Sequence, residues 1–169
     1  YAGGFQDPAR MALAFAGVSN DGSDDNNEIV IRGNSPRGLL WRLEGIEIPN
    51  PNHFTDGQGS TSGIVSMINA YSLAKSDFMT SAFPANFGNG LSGVFDLNFR
   101  RGNNQKTEFT GQLSLIGLDF GMEGPIGKSG SSYRVAGRYS TLQLLLSTNI
   151  INLNTNNYNP DFRDLNFTV

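Results

Sequence analysis

The clearest pattern of apolar and polar positions lies in the last third of the chain. From Glu108 to Leu115 the residues alternate, with Phe109, Gly111, Leu113 and Leu115 on one side and Glu108, Thr110, Gln112 and Ser114 on the other. The phase slips at Ile116-Gly117, which predicts a bulge or tight turn. It resumes with Leu118, Phe120 and Met122 against Asp119, Gly121 and Glu123, and residues 124–130 then read as a turn. Tyr133, Val135, Gly137 and Tyr139 next alternate with Ser132, Arg134, Ala136 and Arg138. After an Asn-rich stretch, Leu165, Phe167 and Val169 alternate with Asp164, Asn166 and Thr168. A period of two is the mark of strands with one apolar face. Segments of about ten residues suit strands that cross a membrane. A soluble antiparallel sheet with one buried face alternates in the same way, and on periodicity alone it is the stronger reading.

The first hundred residues follow a different grammar. Residues 7–17 predict a short helix, with Asp7 as N-cap, Pro8 in the first turn and Gly17 as the left-handed stop. Glu28-Ile29-Val30-Ile31-Arg32-Gly33 predicts a strand ending in a turn, and residues 39–48 a second strand interrupted at Glu44-Gly45. Residues 50–63 are a Gly-, Asn-, Ser- and Pro-rich loop, and residues 64–80 mix helical and extended signals. Residues 91–100 predict another strand, and residues 101–106 a polar linker.

Composition narrows the class. Charged residues make up only 16% of the 169 positions, against about 25% in an average soluble domain. Polarity comes instead from 19 Asn, 16 Ser and 21 Gly, beside 12 Phe. A net charge of −3 with no basic cluster excludes a nucleic-acid partner. Without cysteine there is no disulfide, Cys-zinc site or thiol nucleophile. The longest apolar run, residues 11–16, is far short of the ~20 residues of a membrane-spanning helix, which leaves a β-barrel open.

None of the short motifs composes an active site. Residues 20–27 are acidic but lack calcium-loop spacing and read as a solvated loop. Gly127-Lys128-Ser129 resembles the end of a phosphate loop, but Met122 stands where its first glycine belongs, and a strand follows instead of a helix. His53 is the single histidine, Ser92 lacks a nucleophile elbow, and Glu44 and Glu47 make no acid–base pair. The expectation is a protein that is not an enzyme and carries no metal or cofactor.

A series of motifs in order supplies what periodicity does not. Ile29-Val30-Ile31-Arg32-Gly33-Asn34-Ser35 resembles the I-x-I-R-G-x-S segment of the plug domain of TonB-dependent outer-membrane receptors. Leu43-Glu44-Gly45-Ile46-Glu47-Ile48 is similar to that family's V-D-G-V-P-I strand, with Glu44 for the usual aspartate. Residues 83–97 resemble the Y-G-x-x-x-x-G-V-I-x-I block that ends the plug. Glu123-Gly124-Pro125-Ile126, Arg138-Tyr139-Ser140 and Asp161-Phe162-Arg163-Asp164-Leu165 resemble the early barrel strands. His53-Phe54 and residues 78–88 look like the subgroup with a carboxypeptidase-regulatory-like N-terminal domain. Where many members place a second arginine that joins Arg32 in a plug–barrel lock, this chain has residues 78–82, FMTSA.

The resemblance implies an α+β plug domain over residues 1–102, with a small mixed β-sheet and short helices. Residues 103–169 would be the first antiparallel strands of a transmembrane β-barrel too short to close, so a fragment of a longer receptor is expected. It further implies a plug that gates energy-coupled uptake of a glycan, peptide or metal chelate at the outer membrane, reached from the periplasm. The partners would be outer-membrane lipid, the inner-membrane TonB complex through a segment upstream of this chain, an unidentified small or oligomeric substrate, and a surface lipoprotein. Arg32 is expected to contact the barrel, and Asn50, Asn52, His53, Phe54, Phe83, Asn86 and Phe87 are the candidate substrate-facing residues. The rival is a soluble cell-surface domain that binds carbohydrate or protein.

Overall fold

The computed structural model describes residues 7–20, 27–54, 63, 65–114, 117–128, 130–141, 148 and 161–169. The centre of the acidic loop (21–26), most of the 50–63 loop, residues 115–116 and most of the Asn-rich stretch lie outside the described residues. The chain divides into two compact units, Tyr1–Arg100 and Arg101–Val169. Both are β-rich, with one short α-helix among the described residues.

The first unit opens with α1 (Pro8–Ala12). Asp7 caps it through a hydrogen bond from the Ala9 N–H at 2.9 Å. The helix stops well short of the expected Gly17, because from Leu13 onward the N–H groups reach back three residues instead of four. Gly17, at φ +78°, then starts β1 (Val18–Asn20), which pairs antiparallel with β2 (Ile29–Ile31). Arg32 and Gly33 both take positive φ, and Asn34 N–H closes the turn on Ile31 C=O at 2.9 Å. That is a type I′ turn, here with arginine in the first central position. Glu44-Gly45 repeats the device between β3 (Leu39–Leu43) and β4 (Ile46–Ile48), so the segment read as one interrupted strand is a hairpin.

β3 and β4 join β7 (Asp77–Met79) and β8 (Gly93–Leu97) in a mixed sheet of order β4-β3-β8-β7. β3 and β8 run parallel and are buried on both faces at their centre. One face carries Trp41, stacked on Phe95 at 4.2 Å, with Ile29, Ile31, Ala9, Ala12 and Leu97 around them. The other packs Leu40 and Val94 against Phe87. β5 (Asn52–His53) and β6 (Val65–Ser66) form a separate short ladder. The ambiguous 64–80 region thus contains β6, a turn of 3₁₀ helix at Ala70–Ser72 and β7.

The second unit is an antiparallel meander of β9 (Glu108–Leu113), β10 (Gly117–Ile126), β11 (Ser131–Ser140) and β12 (Arg163–Thr168), in spatial order β12-β11-β10-β9. At the phase slip Ser114 N–H donates to Gly117 C=O at 2.9 Å, joining the end of β9 to the start of β10. Gly124-Pro125, read as part of a turn, belongs to β10; the turn itself is 127–130, where Gly127 and Gly130 supply positive φ. No closed barrel is formed among the described residues.

Candidate functional site

The loop residues singled out from sequence are held more firmly than their composition suggests. Arg32 sits exposed at the tip of its turn, with its N–H bonded to Gly17 C=O at 2.7 Å. Asn50 Oδ1 accepts the Asn52 N–H at 2.9 Å, and the Asn52 side chain is buried, accepting from Asn27 Nδ2 at 3.3 Å. His53 and Phe54 are half-buried, their rings 6.0 Å apart. Phe87 is buried, with Phe83 packed on the same cluster, and the Arg42 guanidinium lies 4.8 Å above the Phe87 ring. Asn89 Nδ2 ties this segment to Glu47 at 3.0 Å, while Asn86 stays exposed. Of the eight residues, Arg32 and Asn86 are the exposed ones, while Asn52 and Phe87 are buried.

Two carboxylates matter more to this unit than its sequence reveals. Asp7 not only caps α1; its second oxygen accepts from Asn27 Nδ2 at 2.5 Å and from the Ser66 N–H at 2.9 Å. Asn27 in turn receives Arg10 Nε at 2.9 Å. One buried side chain thereby joins the N-terminal helix to segments far along the chain. Burial pushes the Asp7 carboxyl above its ordinary 3.8, against the opposing pull of hydrogen bonds from Ser66, Ala9 and Asn27 and of the Arg10 charge. Glu44, which replaces the aspartate of the resembled motif, accepts the Phe99 N–H and so pins the β3–β4 turn to the chain leaving β8.

The second unit carries the larger feature. Register puts Phe109, Met122, Val135 and Phe167 in one row across the four strands, then Gly111, Phe120, Gly137 and Leu165, then Leu113, Leu118, Tyr139 and Arg163. This apolar face is open: Phe109 is 76% exposed, Leu113 77%, Leu165 72% and Phe167 66%. The opposite face is charged and ion-paired. Arg134 Nη1 meets Glu123 Oε2 at 3.0 Å, Arg138 Nε meets Asp119 Oδ1 at 2.8 Å, and Asp164 stands opposite Arg138 in the register. Both arginines are only 7% exposed. A sheet folded for water buries its apolar face and exposes its charges; here the order is inverted.

No family model matches the chain, and no curated protein sequence matches it. Among solved structures it is similar to the ferric enterobactin receptor PfeA in complex with BCV-L6, at 18% identity and a TM-score of 0.51. The match covers 80% of this chain and 22% of the receptor chain, and at this identity it shows likeness of fold.

Proposed function

We propose that this chain is the plug domain and the first barrel strands of a TonB-dependent outer-membrane receptor. In this reading residues 1–102 gate energy-coupled uptake of a nutrient and residues 103–169 begin the barrel wall. The protein transports and does not catalyse. The observation that carries the proposal is the inverted second unit, whose apolar face is exposed while Arg134 and Arg138 are buried and paired. Lipid takes the place of a hydrophobic core on that face, and the polar lumen takes the charged one. β10 and β11 are each ten residues long, the length of a strand crossing a bilayer with tilt. The fold likeness to a receptor of this kind and the ordered motifs point the same way. Arg32 and Asn86, exposed on the first unit, are the residues assigned to contacts with the barrel wall and with substrate.

Flotation with phosphatidylcholine vesicles tests the proposal. The chain is expected to float with the vesicles and to need detergent to stay dispersed without them. A monodisperse, detergent-free monomer that leaves the vesicles bare contradicts it and favours a soluble surface-binding domain.

A further inference from the structure

Strict alternation along β12 places Arg163 on the apolar face with Leu165 and Phe167, where a charge does not belong. It is the one charged residue in the three rows described above. Its position within the face is terminal: it ends the last row, beside Leu113, Leu118 and Tyr139. The guanidinium lies 4.9 Å above the Tyr139 ring, and among the described residues one carboxylate, Asp161, touches it at 3.4 Å. The Arg163 side chain is 66% exposed, so that ion pair is screened and leaves most of its donors open.

From this juxtaposition we propose that Arg163, held by Tyr139, is a contact site for the anionic phosphate headgroup of a membrane lipid. The inference rests on the lipid-facing reading of the sheet. An arginine stem can lie along apolar surface while its head stays at the bilayer–water boundary. Aromatic residues gather at the same level, and tyrosine fits because its ring is apolar and its hydroxyl is wet. The planar guanidinium offers paired N–H groups that match phosphate oxygens. The end of the sheet is also defined. At this end residues 114–116 connect β9 to β10 and the much longer 141–162 connects β11 to β12, whereas at the other only 127–130 connect β10 to β11. Barrels carry their long connections on the outer side, so the lipid belongs to the outer leaflet.

The test compares flotation of the full chain on phosphatidylcholine vesicles with flotation on the same vesicles doped with phosphatidic acid. Three proteins are used: the parent, Arg163→Gln and Lys128→Gln, the last removing an exposed charge from the opposite end of the strands. Phosphatidic acid should raise partitioning of the parent about fivefold more than that of Arg163→Gln, the effect of one basic side chain at an anionic surface. Lys128→Gln should keep that gain. A gain that survives Arg163→Gln, or that Lys128→Gln loses equally, overturns the site. Binding to neutral vesicles without any gain overturns the site and leaves the lipid-facing sheet standing. Failure to float on either vesicle overturns both.

Discussion

Asp7 shows how much one side chain decides in the first unit. It satisfies a helix N-terminus, an asparagine amide and a strand N–H at once, all out of water. Asp7→Ala removes the cap, worth about 1 kcal/mol, and orphans buried donors at about 1–3 kcal/mol. A loss of roughly 2–4 kcal/mol is expected near pH 4, read from denaturation followed by the single tryptophan, Trp41, in the core of the same unit. The pH dependence has a definite sign. Because burial raises the native-state value above 3.8, the folded protein holds the proton more tightly than the unfolded chain. The contribution of Asp7 is therefore fullest below 3.8 and is lost as pH rises through its native value. The advantage of the parent over Asp7→Ala should shrink as pH rises from 4; an advantage that grows contradicts the account. From sequence, Asp7 is legible as a cap because its partner there is two residues away. Its other partners, Asn27 and Ser66, are brought to it by tertiary structure, and no local signal marks them.

At the scale of elements, the period-two segments were the most legible part of the chain, since one strand suffices to display alternation. The helix is shorter than its sequence predicts: Leu13, Ala14 and Ala16 are good helix formers, but the chain from Leu13 to Phe15 winds into tight i−3 turns. Phe83 and Phe87 lie among Gly, Asn and Pro, so they read as surface loop residues; their burial depends on β3 and β8 arriving from elsewhere. Gly93 illustrates a constraint that the strand pattern hides. A Cβ there would stand 2.3 Å from Ile31 Cδ1 and 3.2 Å from Met79 C=O, so Gly93→Ala should destabilise the first unit by about 1–3 kcal/mol in the same denaturation assay. In the meander, Arg138→Met removes the buried guanidinium that meets Asp119 at 2.8 Å and should cost about 3 kcal/mol. Amide exchange of β10 and β11 would report that loss. Asp164 stays opposite position 138, so adding Asp119→Leu should restore only part of that loss.

At the scale of the whole molecule, two units with different physical requirements share one chain. The first has a closed core around Trp41 and Phe95. The second exposes its apolar face and buries the Arg134–Glu123 and Arg138–Asp119 pairs, an arrangement that suits a non-aqueous neighbour. In the absence of lipid, limited proteolysis should therefore enter residues 103–169 first and leave the first unit intact. Cleavage beginning within residues 30–95 would contradict the division. The central claim, that lipid covers one face of the meander, is tested most directly residue by residue. The chain contains no cysteine, so single cysteines can be placed at Phe109, Thr110, Gln112, Leu113, Leu165, Asn166, Phe167 and Thr168, each carrying an environment-sensitive fluorophore. On vesicle-bound chain, emission should be blue-shifted at 109, 113, 165 and 167 and water-like at 110, 112, 166 and 168. Emission without this alternation, or with its phase reversed, would contradict the account.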